Sequence, residues 1–365
     1  IPGAKIDRVF DTLEDKGPKL IVARHEQNAA FMAQGIGRIT GNPGVVITTS
    51  GPGVSNLATG LVTATDEGDP VLAISGQVKR CDLLKRSHQS MKNVAMMEPV
   101  TKSAVEVHDP NTLSEIIANA HRVAKSGRRG ASFISIPQDV TDSLVSVKAI
   151  KPLTDPKLGS ASVDDVNYLA QAIRNAELPV LLLGNGASTR AVTKSIRKLL
   201  EAVKLPVVET FQGAGIVSRE LEEDTFFGRV GLFRNQPGDM LLKKADLVIA
   251  IGYDPIEYEA RNWNAEISAR IIVVDVAQAE IDTYFQPERE LIGDIADTID
   301  LLLPAVNGYT LPKTSVDYLQ NLKKNVVEDV KFDRDSNPGV VHPLDVIDVM
   351  QENITDDMTV TVDVG

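Results

Sequence analysis

Short apolar runs separated by amphipathic stretches recur along the chain. Residues 20–23 (LIVA), 44–49 (GVVITT), 71–74 (VLAI) and 132–136 (SFISI) read as strands. Between them, residues 26–39, 54–65 and 110–126 carry apolar positions at helical spacing. Strands that alternate with helices imply a parallel sheet, because a parallel crossover takes a dozen residues or more and is usually a helix. Residues 145–163, with Pro152, Pro156, Gly159 and several serines, break this pattern and predict a linker.

The alternation then resumes. Residues 180–183, 206–209, 247–251, 271–274 and 291–292 read as strands, and 188–202 as a helix among them. This predicts a second open sheet of Rossmann-like type. Residues 311–338 turn polar and charged and predict a mostly helical surface connector. Residues 343–351 start another helix, and 359–364 (TVTVDV) read as a strand with nothing after it. The fold class expected is α/β: two open, mostly parallel sheets with helices on both faces, and the start of a third α/β unit. The expected limits are 1–145, a linker 146–163, a second unit 164–304, a connector 305–338 and the start of the third unit at 339–365. The chain opens on Ile1-Pro2-Gly3 without a starting Met and closes directly after an apolar strand, so both ends read as cut.

Composition narrows the function classes. The chain has 365 residues, 43% of them hydrophobic and 24% charged, in the ordinary range for globular domains. Aromatics make up 4%, so aliphatic side chains are expected to fill the cores. The net charge of −12 repels a polyanion, and the basic pairs Arg128-Arg129 and Lys243-Lys244 are scattered rather than clustered. Nucleic acid is therefore not an expected partner. No apolar run is long enough to span a bilayer, and the N-terminus is not a signal peptide. Cys81 is the one cysteine, so no internal disulfide forms, which fits a cytoplasmic location.

Candidate chemistry sits where strands hand over to helices. Glu26, in Arg24-His25-Glu26-Gln27-Asn28-Ala29-Ala30, opens a helix on which Glu26, Ala30, Ala33 and Gly37 share a face. Gly35 and Gly37 each cost about 1 kcal/mol within a helix, which suggests close approach of a backbone or a flat ligand. On position alone, a first-turn Glu is better explained by the helix dipole. The loop Thr49-Ser50-Gly51-Pro52-Gly53 follows a strand and opens a helix, the usual ligand position in open α/β sheets. Gly184-Asn185-Gly186 does the same, but Thr189 stands where the third glycine of a dinucleotide fingerprint belongs. His25, His88, His108, His121 and His342 show no metal-ligand spacing, so no metal ligands are assigned.

Together, residues 1–6 (IPGAKI), 24–30 (RHEQNAA), 49–53 (TSGPG) and 136–140 (IPQDV) resemble the acetolactate synthase branch of the thiamine-diphosphate-dependent enzymes, in order and spacing. The resemblance implies that residues 1–145 bind the cofactor's aminopyrimidine. It makes 164–304 the central domain and 339–365 the start of the domain that binds diphosphate and magnesium. Within the branch, the flavin-containing biosynthetic enzymes carry Arg-Phe-Asp-Asp-Arg where this chain has residues 252–258 (GYDPIEY). They also tend to carry Lys where this chain has Gln138, and usually lack a lysine at the position of Lys5. These departures resemble the catabolic, FAD-independent enzymes, so no FAD is expected and the central domain reads as a relic of a nucleotide-binding fold.

The resemblance also implies roles. Glu26 matches the carboxylate that hydrogen-bonds the pyrimidine nitrogen and favours the tautomer that deprotonates the thiazolium carbon. The cofactor then holds the carbanion left when pyruvate loses carbon dioxide, and a second pyruvate captures it as 2-acetolactate, a precursor of acetoin. Gln89 and Lys5 match residues beside the reacting pyruvate. Pro2, Gly3, Gly51, Pro52 and Asn56 join Glu26 as cofactor-binding positions. A homo-oligomer, a tetramer by resemblance, is expected because the family's site lies between chains. Alternatives are another thiamine enzyme acting on 2-oxoacids, such as pyruvate oxidase, or a non-catalytic module that kept the fold. Glyoxylate carboligase would lack the activating Glu.

Overall fold

The computed structural model describes residues 2–151, 153–231, 236–335, 339–355 and 357–361. Its first sheet is built from β1 (Gly44–Thr48), β2 (Val71–Gln77), β3 (Ser103–Glu106) and β4 (Ala131–Pro137). They lie in the order β1-β2-β4-β3, all parallel. Every residue of β2 and β4 is buried, as befits central strands covered on both faces. On the edge strand β1 burial alternates, leaving Val45 exposed between Gly44 and Val46. Helices α1 (Asp7–Lys16), α2 (Glu26–Thr40) and α3 (Pro52–Asp66) precede and flank β1.

Helix α2 is held by close backbone approach and by one buried acid. A Cβ on Gly37 would fall 2.2 Å from the Pro70 carbonyl, and one on Gly60 of α3 would fall 2.5 Å from Cβ of Ala30. Gly35 meets nothing within 4 Å, so the close approach expected of both glycines belongs to Gly37 alone. Asp69, 2% exposed, accepts from Nε of Arg38 at 3.0 and 3.1 Å and from Nε2 of Gln34 at 2.8 Å. These bonds tie the end of α2 to the turn before β2, and Gly41, with φ of 69°, caps the helix.

The second sheet holds β5 (Pro179–Leu183), β6 (Val207–Thr210), β7 (Phe226–Val230), β8 (Leu247–Ile251), β9 (Arg270–Asp275) and β10 (Arg289–Ile292). Their order is β10-β9-β8-β5-β6-β7, again parallel. Period-two alternation sorts the side chains. Leu181, Leu183, Ile249, Ile251, Ile272 and Val274 pack with helices Val163–Asn175, Arg190–Val203 and Ile295–Val306. Val180, Leu182, Val248, Ala250 and Val273 face the other way, onto Tyr253, Trp263 and Phe285. The described residues between 142 and 162 form neither helix nor strand.

Some expectations are corrected. Residues 20–23 run without ladder pairing among the described residues, with Ile21 63% and Val22 70% exposed, so this apolar run adds no strand to the first sheet. Residues 359–361 form no strand; the rest of that expected strand, 362–364, lies outside the described residues. The charged connector is a helix, Lys313–Asp335, but Leu319 and Leu322 are buried against the second sheet's core, so it is not purely a surface element. Strands β3 and β7 were not expected. The first is short and half-buried, and the second is an irregular edge with Gly228 at φ 105° and a register shift against β6.

Candidate functional site

At the C-terminal ends of the first sheet's strands, the chain brings several loops together. His25 caps α2, its Nδ1 accepting from the Gln27 N–H at 3.2 Å, which starts the helix at Glu26. Glu26 is 9% exposed, and its Oε2 accepts from Nδ2 of Asn56 at 3.0 Å. A Cβ on Gly53 would fall 3.6 Å from Oε1 of Glu26 and 2.5 Å from Oγ1 of Thr48. The carboxylate thus faces the first turn of α3 at ordinary contact distance from residue 53, where a side chain would clash with Thr48. Gly51 supplies the turn, with φ of 61°. Pro52, at the first helical position, is exposed.

The opening loop and the loop after β2 close on the same region. A Cβ on Gly3 would meet Thr49 at 2.5 Å, and one on Gly76 would meet the Lys5 carbonyl at 2.4 Å. Pro2 is exposed and Lys5 half-buried. Nε2 of Gln138, after β4, donates to the Ala4 carbonyl at 3.3 Å. Gln89 lies against Gly51, whose Cβ would fall 3.1 Å from the Gln89 Cα, and takes φ of 62°, an uncommon angle for a residue with a side chain. The structure therefore joins Glu26, Gly53 and Asn56, joins Gly51 with Gln89, and joins Gly3 with the Thr49 loop. His88 is exposed beside it.

The hydroxyls of Thr48, Thr49 and Ser50 are buried without a hydrogen-bond partner among the described residues. Buried polar groups are normally paired, so these donors fit a polar ligand bound over the Gly51–Gly53 turn. Together with the cradle at Gly53, they fit the aminopyrimidine half of thiamine diphosphate. Behind them runs a polar network that no motif revealed. Asn93, 1% exposed, donates to the Gly76 carbonyl and to Oγ of Ser135, each at 3.2 Å, and Gln77 donates to the Met91 carbonyl at 2.8 Å. Their signal in the sequence was faint: Gln77 is a polar end to an apolar strand, Ser135 a polar residue within one, and Asn93 opens a short helix in an irregular stretch.

A separate cleft of 460 Å³ lies at the second glycine loop, lined by Glu67, Gly68 and Arg128 on one side and Gly186, Asp254 and Asp275 on the other. Asp275 ends β9, an acid that the motif reading passed over. Burial pushes its carboxyl up to about 6 from 3.8, against the opposing N–H bonds of Val276 and Ala277. The folded protein then holds the Asp275 proton to higher pH than the unfolded chain. Its stability falls as pH rises from about 4 through about 6. Asp275→Asn is expected to stabilise by on the order of 1–3 kcal/mol at pH 8 and to change little at pH 4. Urea unfolding at the two pH values checks this, and an equal shift at both would remove Asp275 as the titrating group.

Comparison with known proteins gives the chain its relatives. Residues 1–96 match the family model for the thiamine pyrophosphate enzyme N-terminal TPP binding domain, and 166–302 the model for the central domain of the same enzymes. Over its full length the chain is 49% identical to an acetolactate synthase of Bacillus subtilis (strain 168), covering 64% of that protein. It is 44% identical to a catabolic acetolactate synthase of Raoultella terrigena, covering 65% of it. An acetolactate synthase isozyme 2 large subunit of Escherichia coli (strain K12) is 30% identical, also with 65% covered. The chain thus spans a little under two thirds of the length of these relatives. The chain thus carries the N-terminal and central domains of the thiamine pyrophosphate enzymes, with Glu26 and the Gly51–Gly53 turn inside the first match and the second parallel sheet inside the other.

Proposed function

We propose that the protein to which this chain belongs is an acetolactate synthase that condenses two pyruvates to 2-acetolactate with release of one carbon dioxide. The observation that carries the reading is Glu26, buried, bonded to Asn56 and set beside Gly53 and unpaired hydroxyls. Bound thiamine diphosphate supplies the electron sink that decarboxylation requires. Glu26 exchanges a proton with the pyrimidine ring nitrogen, and Asn56 fixes the carboxylate's orientation. Gly51, Pro52, Pro2 and Gly3 shape the turn and loop that receive the ring. Gln89 orients pyruvate, and Lys5 offers its carboxylate a cation.

Diphosphate and magnesium are assigned to another domain, and the site to a pair of chains, in a tetramer. Apolar side chains on the outer face of α2 support a second copy there: Met32 is 46%, Ile36 51% and Ile39 87% exposed. The exposed, single Cys81 suits a reducing cytoplasm, and no helix among the described residues is long and apolar enough to cross a membrane.

The test is turnover by the whole protein with thiamine diphosphate and magnesium and no added flavin. One acetolactate and one carbon dioxide for every two pyruvates are expected, without oxygen uptake. Oxygen consumption with peroxide formation would instead make the protein an oxidase.

A further inference from the structure

The loop after β5 has the glycines of a phosphate-binding turn, yet its backbone donors already hold an anion of the chain itself. The Glu257 carboxylate accepts from the Asn185 N–H at 3.0 and 3.1 Å and from the Asp254 N–H at 3.1 Å. It also accepts from the Thr210 hydroxyl at 2.6 Å, which in turn accepts from the Gly213 N–H at 3.0 Å. A Cβ on Gly184 would fall 2.6 Å from Oε1 of Glu257, so the carboxylate sits directly on the glycine. On the other side, the Gly186 N–H donates to the Gly252 carbonyl at 2.8 Å. A ligand phosphate needs the same converging N–H groups and the same room over glycine.

Two polar side chains of these loops reach the N-terminal half. Nδ2 of Asn185 donates to the Glu67 carbonyl at 2.6 Å, and Asp254 pairs with Arg128 at 2.6 Å. Burial raises the Glu257 carboxyl above its usual range, with the Thr210, Asn185 and Asp254 bonds opposing. That balance is expected of a desolvated acid kept in place by its donors.

We propose that Glu257 is the resident anion of this loop. It fills the seat that a nucleotide's phosphate would take, and it bars phosphate-bearing ligands from the adjoining cleft. It also holds the loop in the shape from which Asn185 and Asp254 clasp the N-terminal half. The inference deepens the flavin-independent reading and is separable from the pyruvate chemistry, because its readout is anion binding.

The experiment titrates inorganic pyrophosphate, and separately ADP and FAD, into the full-length protein by calorimetry. The protein is first saturated with thiamine diphosphate and magnesium, so that the cofactor's own diphosphate seat is filled. The wild type is expected to give no binding heat at millimolar ligand. Glu257→Ala, which empties the seat while leaving its donors, is expected to bind pyrophosphate and ADP at least about tenfold more tightly than the wild type. The gain should weaken with salt. Glu257→Gln keeps the volume and is read the same way if the alanine variant does not fold, with a smaller gain expected. Tight ADP or FAD binding by the wild type overturns the inference, and so does a folded Glu257 variant with no gain. A wild type that makes no acetolactate but behaves as expected here overturns only the proposed activity.

Discussion

Glu26→Gln in the full-length protein is expected to lower acetolactate formation by about 10²–10⁴-fold, the range for removing a positioned acid–base group. The substitution keeps the shape of the side chain and a carbonyl oxygen that can still accept from Asn56. What it removes is the ability to carry a proton. Glu26 lies at the first position of α2, and its burial comes from the packing of α2 on α3 rather than from its charge. The thermal midpoint should therefore move by only a few degrees. The pairing of an intact fold with lost turnover is the diagnostic result, measured as acetolactate produced and as the unfolding transition. Turnover within about threefold of wild type would take Glu26 out of the mechanism.

Trp263→Ala is expected to destabilise the central unit by about 3–5 kcal/mol. Trp263 is 1% exposed and meets Tyr253 and Phe285 edge-on, each with ring centroids 6.4 Å away. Its indole N–H donates to the Tyr253 hydroxyl at 3.4 Å. The Tyr253 hydroxyl in turn donates to the Tyr258 carbonyl, and the Tyr258 hydroxyl donates to Asp239, which is fully buried. Truncation leaves a cavity lined by two large rings and exposes one end of a buried polar chain. Far-UV circular dichroism in urea follows the wild type and the variant. A shift below about 1 kcal/mol would show that the aromatic cluster does not anchor this unit.

Local pattern determined much of this protein. Strands such as Val71–Gln77 and Leu247–Ile251 announce themselves as apolar runs, because a strand covered on both faces needs apolar or small residues throughout. Helix α2 shows in its spacing, and the glycines of residues 49–53 mark a turn that only such residues make easily. What pattern could not supply was pairing across distance. Residues 20–23 have a strand's composition and no partner in a ladder, while Ser103–Glu106 has little composition and a partner in β4. Gly35 and Gly37 are alike in sequence, and only the position of the Pro70 carbonyl separates them. Glu257 stood in a stretch singled out only for lacking another motif, and its role was invisible until folding brought the N–H groups of Asn185 and Asp254 and the hydroxyl of Thr210 around it. Backbone preference and hydrophobic period act over a few neighbouring residues. The fate of a ladder edge, a glycine or a buried charge is set by groups far along the chain, which only the tertiary structure brings near.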